Sequence, residues 1–369
     1  MITTEQLRTY AVARSLATPT TLSQAIRRLA FVQADPIRAP ARAQDLILRQ
    51  RVEAYRAGDL EQRYPRLAIE EDFFVNYGFL PRALHQLMHP RTARTLWPRS
   101  RWAQAHAVLD FVRERGVVHP REVDAAFDHG RTRNWFGGSS RASTELLDGM
   151  HYRGLLRVAR REGGVRLYAV RPTHDGADRD SALDRLADVV LRQYAPLPRR
   201  SLAELVYALR GAAPQWGDQR RAVLERLLAR SARATLDGVE WVWPAGENPL
   251  SKRHGLDDEL RLLAPFDPVV WDRRRFELFW GWAYRFEAYT PPARRVRGYY
   301  ALPLLWRGRV DGWGNLAVVD GVLVAEIGWQ SGAPPRGRAW QPALQAELAR
   351  CAEFLGLDAG ATRWRLQSR

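Results

Sequence analysis

Apolar positions recur at helical spacing over the first ~230 residues and fall into groups of three. The first group spans Glu5–Ser15, Thr21–Val32 and Arg42–Arg56, and no hairpin pattern follows it. The second begins with Trp102–Arg115 and Pro120–Phe127, where proline takes a tolerated early helical position. Its third helix, capped by Ser139 or Ser140, runs to about Tyr152 with Leu146, Leu147 and Met150 on the buried side. Two β-prone runs come next, Leu155–Arg160 and Val165–Val170, joined through Gly163-Gly164, which suits a tight primed turn. The third group repeats the order: Ala182–Tyr194, Ser201–Leu209, Asp218–Arg230, and a hairpin over Ala234–Trp243 turning at Asp237-Gly238.

Three helices and a two-stranded wing form the winged-helix pattern, whose third helix enters a groove of DNA. Past a linker at Gly246–Gly255 the pattern turns to strands: Phe276–Trp282, Arg295–Leu305, Gly308–Trp313, Leu316–Val319 and Val322–Ile327. A last helix covers about Pro342–Phe354. The expected fold is mainly α with β, tandem winged-helix (helix-turn-helix) units followed by a β-rich C-terminal domain. The expected boundaries are 1–100, 101–173, 180–245 and 256–369.

Charge narrows the partner. The 369 residues carry a net +16, which points to a polyanion, and nucleic acid fits that and the helix pattern together. Cys351 is the sole cysteine, so there is no internal disulfide, no four-cysteine zinc site and no cysteine-ligated iron–sulfur cluster. Met1–Arg8 lacks a hydrophobic signal core, and no stretch approaches membrane-spanning length. A cytoplasmic, nucleoid-associated monomer is expected, with no membrane contact and no cofactor.

The chemistry concentrates at Gln33-Ala34-Asp35-Pro36. Proline drives Asp35 toward extended geometry, in which residues i and i+2 point the same way. An amide and a carboxylate then face one small volume and could hold a water between them. The plainer alternative leaves Gln33 on the surface and has Asp35 cap a helix starting near Ala39. Arg38 and Arg42 flank the segment as candidate phosphate clamps. His151 and Arg153, at the end of the third helix of the second group, are candidate DNA contacts; a histidine there also suits the helix dipole. His85 and His89 have metal-ligand spacing, but Gln86 stands where the general base of a zinc hydrolase is needed, and no third ligand is evident. No metal is expected. Asp267, Asp272 and Arg273–Arg275 read as a salt-bridged turn with a phosphate-facing basic patch.

The string from Gln33 to Leu48 resembles the opening of the AlkZ/YcaQ family of bacterial DNA glycosylases. Trp135–Ser139, Met150–Leu156, Pro265–Arg275 and Gly312–Asn315 resemble it further, in order along the chain, and more closely the YcaQ branch. The resemblance implies a winged-helix protein that excises N-alkylated purines and unhooks interstrand crosslinks, acting on double-stranded DNA that bears such lesions. It makes Gln33 and Asp35 the catalytic pair, with Asp35 as base and electrostatic stabiliser and Gln33 as positioner. The competing class is a non-catalytic winged-helix DNA-binding protein such as a transcriptional regulator, which has no need of the Gln-x-Asp-Pro segment. Lys252, the sole lysine, lies far along the chain from Asp35, so a monofunctional hydrolase is expected rather than a Schiff-base enzyme. Phe31 is the only aromatic near the pair in sequence, and an open cleft facing the backbone is expected.

Overall fold

The computed structural model describes residues 2–16, 18–93, 95–127, 131–133, 139–172 and 179–367. Trp135–Gly138 of the string ending at Ser139 lie outside them.

The first group comprises α1 (Thr4–Ser15), α2 (Leu22–Leu29), β1 (Val32–Gln33), α3 (Ala43–Leu48), α4 (Asp59–Arg63), β2 (Ile69–Phe73), β3 (Tyr77–Pro81) and α5 (Arg82–Gln86). Helix α2 stops earlier than its apolar spacing suggests, because Ala30 adopts a left-handed φ of 59° and turns the chain into β1. A hairpin is present where none was expected: β2 and β3 pair antiparallel, and β1 adds to β3. Its pattern was hidden because Glu70, Glu71 and Asp72 are all buried in β2.

In the second group α6 (Arg99–Arg115), β4 (Val117–Val118) and α7 (Pro120–Ala126) precede the short pair β5 (Arg131–Arg133) and β6 (Ser139–Arg141). Ser139 and Ser140 thus belong to a strand, and α8 (Ala142–Tyr152) starts after them. Strands β7 (Leu156–Glu162) and β8 (Val165–Val170) close the hairpin, with β4 on the far side of β8. The third group repeats this with α9 (Arg179–Tyr194), β9 (Leu197–Pro198), α10 (Arg199–Ala208), α11 (Arg220–Ala229), β10 (Ser231–Leu236) and β11 (Val239–Pro244), in the sheet order β10-β11-β9.

The C-terminal part holds β12 (Arg261–Leu262), α12 (Arg273–Trp280), β13 (Leu302–Trp306), β14 (Arg309–Val319), β15 (Val322–Trp329), α13 (Trp340–Phe354) and β16 (Thr362–Leu366). They form a five-stranded sheet in chain order, antiparallel except for the β15–β16 pair. The expected strand at Phe276–Trp282 is the helix α12. Asp272 caps it by accepting the Arg275 amide at 2.6 Å, and the buried Phe276, Phe279 and Trp280 follow helical spacing. The expected strand at Arg295–Leu305 shrinks to β13, and the two predicted runs before Asp320 form the single long β14.

Two apolar cores cross these groupings. One gathers α1, the third group and α12; the other gathers α2, the second group and the C-terminal sheet with α13. Both include residues of the C-terminal part, which therefore packs against everything before it.

Candidate active site

The Gln33–Asp35 segment leaves a sheet edge. Val32 pairs with Phe79 and Gln33 with Gly78, and the Ala34 amide donates to the Tyr77 carbonyl at 2.9 Å. Gly78 allows this approach: a Cβ there would stand 2.3 Å from the Val32 carbonyl oxygen and 2.7 Å from the Phe31 ring. Beyond Ala34 the chain departs at Pro36, and the Asp35 carboxylate folds over the turn to accept the Ile37 amide at 2.9 Å. That bond excludes the helix-capping alternative, since the residue before α3 is Arg42 and no side chain caps the helix.

Gln33 and Asp35 both line one cleft of about 500 Å³, as the i, i+2 geometry requires. Gln33 is only 4 % exposed, and its Oε1 accepts the Trp271 indole N–H at 2.8 Å. With the carbonyl oxygen so held, the NH₂ is the group left to face the cleft. Asp35 is half-buried. Desolvation lifts its carboxyl above the ordinary range, and the hydrogen bond from Ile37 opposes that rise.

The other walls come from distant parts of the chain. Arg161 and Gly164 bring the tip of the β7–β8 hairpin to the cleft, and Phe266, Phe286 and Tyr289 come from the C-terminal part. With Tyr77 they make an aromatic wall that was not expected, while Phe31 itself is buried against Phe74 at 5.5 Å. Behind Phe286 lies the buried Tyr300, whose rings meet edge-on at 5.2 Å. Its hydroxyl has no hydrogen-bond partner among the described residues, and burial followed by the Asp35 charge raises its pKa.

The flanking arginines separate. Arg38 is exposed on the turn after Pro36. Arg42 lines the cleft but is ion-paired with Glu61 at 2.6 Å and covered by Gly164, where a Cβ would stand 2.5 Å from its Nη2. His151 is not placed to meet DNA: it is buried, Nε2 lies 2.9 Å from the Glu71 carbonyl, and desolvation lowers its pKa. Arg153 is folded back over the Trp97 ring at 3.6 Å and donates to the Thr95 carbonyl at 2.6 Å, so its guanidinium is engaged within the protein.

The other two constellations also turn inward. Among the described residues His85 and His89 do meet a third ligand type, Asp72, whose Oδ2 lies 2.9 and 3.1 Å from their Nε2 atoms. The fully buried Arg91 guanidinium contacts both oxygens of the same carboxylate, at 3.1 and 3.3 Å. A divalent cation would have to share Asp72 with that charge, so the group fits a buried ionic hub better than a metal site. Asp267 forms a bidentate pair with Arg51 at 2.7 and 2.9 Å. Arg273 and Arg275 donate to backbone carbonyls in the interior, and Arg274 pairs with Glu204, so the expected phosphate-facing patch is not there.

Sequence reasoning missed Trp271, Arg161 and the aromatic wall. Two of these carried a signal, since Phe266 and Trp271 sit inside the string Pro265–Arg275. The hairpin tip carried none, because only the tertiary fold brings it to Asp35.

A family model described as DNA glycosylase AlkZ-like matches residues 26–354. The solved structure of the Streptomyces sahachiroi DNA glycosylase AlkZ superposes with a TM-score of 0.64 at 16 % identity, over 99 % of this chain and 100 % of that one. At that identity the superposition speaks for the fold. The family match spans most of the sequence, cleft-forming segments included, and the chain belongs to the AlkZ-like DNA glycosylase family.

Proposed function

We propose that this protein is a monofunctional DNA glycosylase that hydrolyses the N-glycosidic bond of N-alkylated purines of the N7-alkylguanine type, interstrand crosslinks included. The observation that carries the reading is the shared cleft of Gln33 and Asp35, walled by an arginine and by aromatic rings. A purine alkylated at N7 is already cationic and leaves with little acid assistance. The enzyme must then stabilise a developing oxocarbenium and aim a water. Asp35 suits both tasks: one carboxylate oxygen is held by Ile37, and the other is left to face sugar or water. Desolvation makes the carboxylate a stronger base than a hydrated aspartate. The Gln33 amide, braced by Trp271, orients the water without deprotonating it.

The helix-and-hairpin groups serve in this reading as tandem winged-helix units divided near residues 100, 173 and 245, with the β-rich domain from 256 closing the cleft. The protein acts as a cytoplasmic monomer on damaged duplex in the nucleoid. In keeping with this, no helix among the described residues is long and apolar enough to cross a membrane. Lys252 is exposed in the loop before β12 and does not line the cleft, which supports hydrolysis over Schiff-base chemistry.

The deciding experiment incubates the protein with N7-methylguanine DNA and with a nitrogen-mustard N7–N7 guanine crosslink. Free base should appear from the first and unhooked strands from the second, at rates within about tenfold, or about 1.4 kcal/mol in barrier. The product strands should stay intact until alkali is added, and borohydride should trap no covalent complex. Duplex binding without release of any base would identify a non-catalytic winged-helix DNA-binding protein instead.

A further inference from the structure

The segment joining α12 to β13 interleaves aromatic and basic residues and borders the cleft. Tyr289, which lines the cleft beside Asp35, is 77 % exposed, and Val296 is 68 % exposed. Scattered exposed apolar residues need no explanation. These two belong to a loop whose shape is fixed from within. The buried Glu287 accepts three successive amides on one oxygen: Val296 at 2.9 Å, Arg297 at 2.8 Å and Gly298 at 3.3 Å. Asn315 donates to the Arg297 carbonyl at 2.6 Å and fills the space a Cβ on Gly298 would need, at a φ of 121°. On either side of Val296 the arginines are tied back. Arg297 lies over the Trp282 and Trp313 rings, at 4.9 and 5.5 Å, and Arg295 donates to the Thr290 carbonyl at 2.8 Å. Val296 is left as an exposed apolar side chain on a backbone held by Glu287, and Tyr289 rests edge-on against Phe286 at 6.1 Å.

We infer that this loop reads the damaged duplex directly, Tyr289 stacking on a nucleobase at the cleft and Val296 wedging into the adjoining base step. The inference rests on the glycosylase reading above and names the group that would hold the lesion nucleotide over Asp35. Every base presents a π-face, so an aromatic plate tolerates varied adducts, and an apolar side chain between bases unstacks a step locally. The exposed Arg285 and Arg294 of the same loop, rather than the tied-back Arg295 and Arg297, are the cations left to meet phosphates beside that step.

A duplex carrying 2-aminopurine beside N7-methylguanine tests this, because 2-aminopurine brightens when it is unstacked. In the Asp35→Asn protein, which keeps the lesion base in place, saturating binding should raise the fluorescence severalfold. Tyr289→Ala and Val296→Ser, added separately, should each remove at least half of that rise without lowering the melting temperature, since both side chains are exposed. With Asp35 intact, Tyr289→Ala should lower kcat/KM for release of 7-methylguanine by about fivefold to a hundredfold, the span of base–aromatic stacking, and Tyr289→Phe should rescue it. Normal base release with no fluorescence rise, or a rise unchanged in both variants, overturns the inference. If the wild type releases no base at all, the glycosylase reading fails whatever the fluorescence does.

Discussion

The Asp35 carboxyl gives up hydration on entering the cleft and receives one amide hydrogen bond in exchange, so its folded pKa lies above that of the unfolded chain. For an acid shifted in this direction the protonated form is the one that favours the fold. Its contribution is fully present below the unfolded value of about 3.9 and is lost as pH rises through the folded value. At neutral pH the ionised side chain therefore costs stability. Asp35→Asn should raise the melting temperature at pH 7, and the gain should vanish near pH 3, while single-turnover base release falls by about 10²–10⁴-fold. The wild-type rate should climb with pH along a limb whose midpoint lies above the ordinary aspartate range. A variant less stable than wild type at pH 7 would contradict this account of the site. Trp271→Phe keeps the ring against Tyr194 but removes the donor to Gln33, and should slow release by about tenfold, roughly one hydrogen bond, with little change in DNA affinity. The Gln33–Asp35 pairing was legible because it depends on three residues of backbone geometry. The indole that braces Gln33 stands 238 positions away and could not be inferred from spacing.

Strand β2 shows the same limit one level up. Glu70, Glu71 and Asp72 are three successive acids with no apolar periodicity, yet each is buried against cations. Glu70 meets Arg82 and Arg157, Glu71 meets Arg161, and Asp72 meets Arg91 and two imidazoles. Burial alone would raise the pKa of Glu71, but the hydrogen bonds and charge of Arg161 outweigh it and hold it below the usual range. Asp72 is pulled well below its ordinary value in the same way, with Arg91 first among the opposing causes. Carboxyls shifted downward contribute stability above the unfolded value, about 4, and lose it as pH falls through the folded one. Docking of the second hairpin onto the first should therefore fail in acid. Arg161→Ala leaves the buried Glu71 with only the Tyr77 hydroxyl and the nearby Arg166 charge, and should cost about 1–3 kcal/mol in a denaturant melt; adding Glu71→Gln should recover much of that. An unchanged midpoint in Arg161→Ala would mean that the pair contributes nothing. Elements with ordinary apolar periodicity, such as α6, α9 and the β10–β11 hairpin, matched expectation closely. Helix α12 did not, because its aromatic run satisfies strand propensity and helix spacing alike, and the Asp272 cap decided between them.

Over the whole molecule the charge of +16 is not diminished by burial, because Arg51, Arg91 and Arg275 are buried but so are Asp45, Glu70, Glu71, Asp72, Asp267, Asp272, Glu287 and Glu347. What differs is the exposure of individual arginines, Arg38 facing solvent and Arg42 held by Glu61. The two arginines beside Gln33 and Asp35 should therefore separate experimentally. Arg38→Ala, losing an exposed cation, should lower the slope of log affinity against log salt by about one. Arg42→Ala, losing the partner of Glu61, should reduce melting temperature and base release with a smaller change in that slope. Equal slopes for Arg38→Ala and wild type in fluorescence anisotropy would remove Arg38 from the DNA-contacting surface. Charge sign and helix content were readable from composition and periodicity; the inward turning of so many arginines was not, because each depends on an acid or a carbonyl remote in sequence. The cleft itself is assembled from residues 33–44, 76–77, 161–164 and 266–289. During synthesis Asp35 leaves the ribosome long before the indole that steadies Gln33 and the rings that face it have been translated. Domains fold in order as the chain emerges, so this carboxylate sits beside an unfinished wall until most of the protein has been made. The cleft is thereby left without one of its walls for most of the time the chain is nascent.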